Sequence, residues 1–285
     1  MRKVYIVAEL SQNHNGEIDI AKELIEDAKL AGCDAVKLNK RDLSHELTDE
    51  AYDRPYNNIN SFGETYGQHR KFLEFNEEQH RFLKKYTNNR GMDYILSVCD
   101  IPSLEFALEL DCPLIKIPSK EINNIPLLEA INKTDKKVAF SIGLASKFDI
   151  KRAMGILYGH ETIMVICTSE YPTDLDNVNL DRMYEFPKWR KGFSSHVPDP
   201  MLGIAAVAMG AEYIEYHITM DREMKGSDHI VALELDELAY LVASIRDLQI
   251  ALGSRVILET LPQYLESTKK KLMKEKCEDG IYRIK

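Results

Sequence analysis

Two lysines stand inside apolar runs: Lys37 in Ala-Val-Lys-Leu and Lys116 in Leu-Ile-Lys-Ile. Such runs make buried strands, where an unpaired ammonium is heavily penalised, so each lysine needs an anion. Ser119, Ser141, Thr168 and Ser194 fall at neighbouring run ends. Together they suit a small ligand carrying a carboxylate and a phosphate, held by charge-assisted hydrogen bonds. Two other uses stay open: a buried ion pair with Glu9 or Glu121, and a Schiff base between lysine and a carbonyl substrate. His196 and His217 also end apolar runs. On adjacent strands, about 4.8 Å apart, two imidazoles reach one divalent metal ion; the plainer reading is a hydrogen-bonded polar pair. Two protein ligands leave positions for water and a substrate carbonyl, as a Lewis acid requires. Asp228, in Lys-Gly-Ser-Asp-His, either faces the same ligand or closes a turn on its own backbone. Glu9, Glu121 and Tyr171 add acceptors and a hydroxyl, a set suited to a polyhydroxylated ligand.

These side chains converge only if the elements carrying them do. Short β-branched runs at 4–9, 35–38, 94–98, 114–117, 137–141, 163–167, 191–194 and 213–217 read as eight strands. Each precedes a helical pattern, at 18–31, 77–87, 102–110, 126–132, 147–158, 180–186, 201–209 and 235–252. Strict alternation implies parallel strands with crossover helices. Eight units predict an α/β chain folded as a (β/α)8 TIM barrel, over 1–253, rather than a doubly wound sheet, and the Gly-x-Gly-x-x-Gly turn of the latter is missing. In such barrels chemistry collects at the C-terminal strand ends, where Glu9, Asn39, Ser97, Ser141, Ser169, His196 and His217 fall. Residues 39–76 form a polar, aromatic-studded stretch expected to act as a lid-like loop. Residues 254–285 carry a charge-rich pattern expected to be a helical tail.

The 285 residues hold 37 Lys plus Arg against 46 Asp plus Glu, a net charge of −9. That balance offers nothing to phosphate backbones or anionic lipid, so neither nucleic acid nor a membrane is expected as a partner. The five cysteines are scattered, with no C-x-x-C pair, which suits a reducing compartment. Met1-Arg2-Lys3 runs straight into a strand pattern without a signal-peptide layout, and a cytoplasmic location is expected.

Several motifs then fall in order. They are Ala-Glu-Leu-Ser-Gln-Asn-His-Asn-Gly at 8–16, Ala-Val-Lys at 35–37, Thr-Tyr-Gly-Gln-His-Arg at 65–70 followed by Leu-Glu-Phe, Ile-Lys-Ile-Pro-Ser at 115–119, Cys-Thr-Ser-Glu-Tyr-Pro-Thr from 167, Gly-Phe-Ser-Ser-His from 192, Glu-Tyr-His at 215–217 and Gly-Ser-Asp-His at 226–229. The ordered set resembles the sialic acid synthase family, which condenses phosphoenolpyruvate with an N-acetylated hexosamine to make nine-carbon ulosonic acids. The resemblance implies that His196 and His217 hold Mn²⁺, or Mg²⁺ or Co²⁺ in its place. It implies that Lys37, Asn39, Ser97, Lys116, Ser119, Ser141, Ser169 and Ser194 bind phosphoenolpyruvate, and that Glu9, Tyr66, Glu121, Tyr171 and Asp228 surround the sugar. Glu9 or Glu121 would position or deprotonate the water that enters.

The family often has Gln at Asn39, Thr or a similar polar residue at Val98, and Asn at Ser169. Its bacterial members carry a C-terminal antifreeze-like domain for which 254–285 is too short. An altered acceptor, a separate polypeptide supplying that domain, or lost activity would each account for this; an altered acceptor is the preferred reading. Homodimerisation through the barrels is compatible with all three. Two functional alternatives remain. One is a different phosphoenolpyruvate-dependent 3-deoxy-ulosonate synthase whose phosphorylated aldose would use Arg41, Arg70 or Lys225; the other is a non-catalytic sugar-binding subunit.

Overall fold

The computed structural model describes residues 3–253, 262–278 and 281–284. The chain divides into two compact units, Arg2–Ala251 and Leu252–Lys285. In the first, eight parallel strands close into a barrel: β1 (Tyr5–Ser11), β2 (Ala35–Lys40), β3 (Asp93–Val98), β4 (Leu114–Ile117), β5 (Lys137–Ser141), β6 (Thr162–Ile166), β7 (Arg190–Ser195) and β8 (Tyr213–His217). Closure is made by β1 against β8, with Tyr5 opposite Tyr213 and Glu9 opposite His217. The expected strands are the observed ones, with β1 extended to Ser11, where the β1–β2 register shifts after Glu9.

Side chains alternate across each strand. Ile6, Leu10, Val36, Leu38, Tyr94, Leu96, Ile115, Phe140, Met164 and Phe193 join the large core that includes residues of the surrounding helices. The alternate residues Val7, Ala35, Ile95, Leu114, Ala139, Val165 and Tyr213 make a second apolar cluster with Tyr5 against it. One inward step further along the strands come Glu9, Lys37, Ser97, Lys116, Ser141, Ser194 and Glu215, all buried. The barrel interior is thus plugged with hydrocarbon at one end and polar at the other, as its closed geometry allows.

The helices are α1 (Ile18–Ala31), α2 (Leu43–Glu46), α3 (Asp49–Asp53), α4 (Tyr66–Leu73), α5 (Glu77–Asn88), α6 (Ile101–Glu109), α7 (Ile125–Ile131), α8 (Lys147–Ile156), α9 (Leu175–Val178), α10 (Pro200–Ala208), α11 (Leu235–Leu252) and α12 (Gln263–Leu272). Local chemistry sets their ends. Asn76 and Gln79 form a reciprocal capping box that starts α5, and Gly32, at φ 90, closes α1 in the left-handed region.

Three expectations are corrected. Residues 39–76 are not a plain loop: α2, α3 and α4 occupy much of the stretch, with N-caps from Asp42, Thr48 and Thr65. After β6 the helical pattern splits into α9 and a 3-10 turn, Leu180–Tyr184, because Asn179 between them takes φ 47. In the second unit, α12 is followed by β9 (Lys274–Lys276) and β10 (Tyr282–Ile284), which pair antiparallel, so the expected tail is not helical throughout, and 254–261 lie outside the described residues. Among the described residues no helix is long and apolar enough to cross a membrane.

Behind β1 and β3 sits a run of buried rings. His14 stacks on Phe75 at 4.0 Å between centroids, and His80 Nδ1 lies 2.7 Å from the Tyr94 hydroxyl. Burial pushes both imidazoles down to about 3, so they are neutral in the fold. In the unfolded chain they titrate near 6.5, so as pH falls below that value the unfolded state binds protons the folded state refuses. Stability is therefore lost as pH falls, by about 1.4 kcal/mol per pH unit for each such histidine until its folded value is reached. Urea unfolding between pH 6.5 and 4.5 checks this: His80→Gln should show a slope shallower than wild type by about one proton, whereas equal slopes would contradict it.

Candidate active site

At the C-terminal ends of the strands lies a cavity of about 410 Å³. Its floor is a cluster of four charges from alternate strand positions. Lys37 Nζ, only 4% exposed as a residue, pairs with Glu9, lies 3.6 Å from Glu215 Oε1 and donates to Ser97 Oγ at 2.9 Å. Lys116, 2% exposed, donates to Ser141 Oγ at 2.5 Å and lies 3.8 Å from Glu215 Oε1. Glu215 also accepts from the Tyr213 hydroxyl and from Ser194 Oγ at 3.3 Å.

The two carboxylates are driven apart in acidity. Burial pushes Glu9 up to about 7 against the pull of Lys37. For Glu215 burial acts in the same sense, but Lys116, Lys37 and the Tyr213 hydroxyl outweigh it and hold the group down to about 2. Glu215 is the permanent anion of the floor, and Glu9 is poised to exchange a proton near neutrality. Burial lowers Lys116, while the carboxylates around Lys37 overcome burial and raise it.

Above the floor, His196 and His217 lie with ring centroids 5.5 Å apart, and the Tyr171 ring packs 4.0 Å from His196 and edge-on, at 5.8 Å, to His217. His196 Nδ1 is 2.5 Å from the Thr168 carbonyl, which places its proton there and leaves Nε2 with a lone pair. His217 Nδ1 is buried without a hydrogen-bond partner, 3.8 Å from Asp228 Oδ2. Burial lowers both imidazoles, His217 to about 4, so both are neutral and of the form that ligates metal. Two neutral rings and an orphaned buried nitrogen fit a divalent ion. Asp228 accepts from Ser11 at 2.8 Å, Gln12 at 2.9 Å and Ser227 at 2.8 Å; burial raises it, but His217 and these donors hold it below its ordinary value.

Most of the expected residues meet here. Glu9, Lys37, Asn39, Tyr66, Ser97, Lys116, Ser119, Ser141, Ser169, Tyr171, Ser194, His196, His217 and Asp228 all line the cavity. Glu121 does not. It sits on the 3-10 turn Ser119–Glu121, accepting from Asn124 at 2.8 Å, with Lys120 at 3.7 Å. With Glu46 and Cys99 it forms a trio whose donor atoms lie within 4.8 Å of one another, but Lys120 and Arg41 already neutralise Glu46 there. Thr168 gives its carbonyl to His196 and turns its hydroxyl to the Asn177 carbonyl. The ion pair weighed for the lysines exists, with Glu9 and Glu215 rather than Glu121 as the acids. Glu215 was legible: the i, i+2 spacing of Tyr213, Glu215 and His217 places all three on one strand face. Gly143 was not. Its amide donates to Ser119 Oγ at 3.0 Å, and a Cβ there would fall 2.4 Å from Ser169 Oγ and 2.8 Å from Cys167 Sγ.

Known proteins share this chain's sequence and fold. The human N-acetylneuraminate-9-phosphate synthase is 39% identical over 256 residues, covering 88% of this chain and 71% of that protein. The N,N'-diacetyllegionaminic acid synthase of Campylobacter jejuni is 34% identical over 265 residues, covering 90% and 79%. The crystal structure of an N-acetylneuraminic acid synthetase from Leptospira borgpetersenii, in complex with citrate, superposes with a TM-score of 0.80 at 28% identity, covering 95% of this chain and 93% of that one. The NeuB family model matches residues 24–257, from α1 through the last barrel helix and so across most of the strands that build the charged floor: the chain belongs to the NeuB family.

Proposed function

We propose that the chain condenses phosphoenolpyruvate with the open-chain form of an N-acetylated hexosamine, releasing phosphate and forming a sialic-acid-like nonulosonate. As a NeuB family member it is a phosphoenolpyruvate-using condensing transferase. The observation that carries the reading is the juxtaposition of two buried, serine-flanked lysines with two neutral imidazoles in one cavity.

Lys37 and Lys116, with Ser97, Ser119, Ser141 and Ser194, hold the carboxylate and phosphate of phosphoenolpyruvate by charge-assisted hydrogen bonds. Asn39 and Ser169 border the same space, and Gly143 lets Ser169 and Cys167 approach closer than a side chain there would allow. His196 and His217 hold a divalent ion, Mn²⁺ in the reading favoured by the family, which when bound supplies Lewis-acid polarisation of the acceptor carbonyl. Asp228, Tyr171 and Tyr66 offer an acceptor and hydroxyls to the sugar.

In the reaction the methylene carbon of phosphoenolpyruvate bonds to the aldehyde carbon, the aldehyde oxygen gains a proton, and positive charge develops at the adjacent enol carbon. Water adds there and loses a proton, and the bond between that carbon and the phosphate oxygen breaks. Glu9, raised by burial and seated beside Lys37, is the carboxylate placed to take the proton of that water. Glu215 stays anionic and keeps the lysines oriented. Cys33, Cys99, Cys112 and Cys167 are buried thiols, which suits a reducing setting.

Phosphate release from phosphoenolpyruvate, measured with Mn²⁺ and a panel of N-acetylated and phosphorylated aldoses, should be acceptor-dependent and yield a product heavier than its acceptor by one pyruvic acid. Silence across the panel with phosphoenolpyruvate still bound would favour a non-catalytic sugar-binding subunit. His217→Ala should abolish metal-dependent turnover and weaken Mn²⁺ binding read by electron paramagnetic resonance, with the circular dichroism spectrum unchanged; undiminished Mn²⁺ binding would refute the ligand assignment. Glu9→Gln should lower kcat by about 10²–10⁴-fold, the range for losing a general base, and an unaffected kcat would remove Glu9 from that role.

A further inference from the structure

Tyr213, on β8, is wholly buried in the apolar layer beneath the charged floor, where its ring packs 6.2 Å from that of Tyr5. Gly192 stands opposite it on β7, and a Cβ there would fall 2.9 Å from Tyr213 Cβ and Cδ1, so the neighbouring strand makes room for this ring. A phenylalanine would fill the layer as well; the hydroxyl is the polar addition. It donates to Glu215 Oε2, one inward position further along the same strand. The two oxygens of Glu215 are thereby divided. Oε2 is tied down toward the layer, while Oε1 accepts from Ser194 Oγ at 3.3 Å and faces both lysines.

Among the described residues, Glu215 is the acid that both lysines have within ion-pair distance, yet it bonds neither. Lys37 Nζ stands 3.6 Å away and Lys116 Nζ 3.8 Å, both beyond hydrogen-bond range. The lysines' hydrogen bonds go to serines, Lys37 to Ser97 at 2.9 Å and Lys116 to Ser141 at 2.5 Å, with Glu9 closing on Lys37 from its other side. Donors to one carboxylate compete for its charge, so an acid already holding a phenol gains less by closing on an ammonium. Held at this distance, Glu215 orients the lysines through its charge and leaves their N–H groups free to turn to a ligand.

We propose that Tyr213 is a positioning residue of the donor site, whose hydroxyl holds Glu215 back from Lys37 and Lys116 so that both lysines are released to an incoming anion. The proposal rests on the reading of the floor as the phosphoenolpyruvate site. Phosphoenolpyruvate is titrated calorimetrically into wild type, Tyr213→Phe and Tyr213→Leu, and into Glu215→Gln with and without Tyr213→Phe, with a thermal melt of each. With the phenol gone Glu215 closes on the lysines, so Tyr213→Phe should bind phosphoenolpyruvate about tenfold more weakly, the scale of a hydrogen bond to a charged group. Tyr213→Leu, which gives up the ring too, should lose affinity to the same extent. In the Glu215→Gln background no carboxylate is left to close, and Tyr213→Phe should leave affinity unchanged. Mn²⁺ binding, read by electron paramagnetic resonance, should be the same in Tyr213→Phe as in wild type, because His217 lies on the same strand and registers any shift of it. Undiminished phosphoenolpyruvate affinity in Tyr213→Phe, a loss confined to Tyr213→Leu, an equal loss in the Glu215→Gln background, or a parallel loss of Mn²⁺ binding overturns the assignment. Sulfate, which needs only the lysines, is titrated in parallel. A Tyr213→Phe loss seen with sulfate when phosphoenolpyruvate does not bind wild type would strike the donor reading and keep the role of Tyr213; binding of neither anion overturns both.

Discussion

Four charges inside a closed barrel are the constraint on which the rest of this structure depends. Lys37, Lys116, Glu9 and Glu215 lie on β2, β4, β1 and β8, each nearly excluded from solvent, and no one of them is tolerable there alone. A hydrocarbon floor of the same volume would be at least as stable, so the cluster is weak as a stabilising device. The proposed role is that of a binding floor, whose lysines would exchange protein carboxylates for those of a ligand. The apolar layer of Val7, Ala35, Ile95, Ala139, Val165 and Tyr213 beneath it closes the barrel from below, so the cluster is reached from the strand ends.

From that floor the site is layered by strand register. Serines on β3, β5 and β7 stand beside the lysines, neutral imidazoles follow at the end of β8 and just past β7, and the polar wall of Ser11, Gln12, Ser227 and Asp228 rises beyond them. The register shift in β1 after Glu9 belongs to this plan: it leads into Ser11, whose hydroxyl bonds Asp228 from the loop after β8. The residues proposed to bind, polarise and move protons thus occupy successive depths of a single cavity. The α2–α4 segment contributes Tyr66 and Arg70 from the side, making that insertion part of the site wall.

The barrel and most of the residues that line the candidate site were legible from period and residue type. Alternating apolar runs located all eight strands, and polar residues at their ends named the lysines, the serines and both histidines. What escaped depended on the path of the backbone. Glu121 follows its strand closely enough to look equivalent to Glu9, but the 3-10 turn at Ser119–Glu121 carries it to Asn124 and Lys120 instead. The segment after Asn39 read as a loop because its helices are four, five and eight residues long, too short to establish a periodicity. Gly143 and Gln12 act through a close approach and a bridging amide, and neither leaves a pattern in composition or spacing.

The claim that the buried lysines are a binding floor is tested most directly by calorimetric titration of phosphoenolpyruvate into wild type and Lys116→Met, with a thermal melt of each to verify folding. Lys116 engages Ser141 and Glu215 but sits apart from the imidazoles' direct partners, so its loss isolates the floor. The account predicts a folded variant whose affinity falls by at least about tenfold, the cost of losing a hydrogen bond to a charged group. A folded variant that binds phosphoenolpyruvate as tightly as wild type would mean that the lysine serves only its ion pair, and would contradict the account.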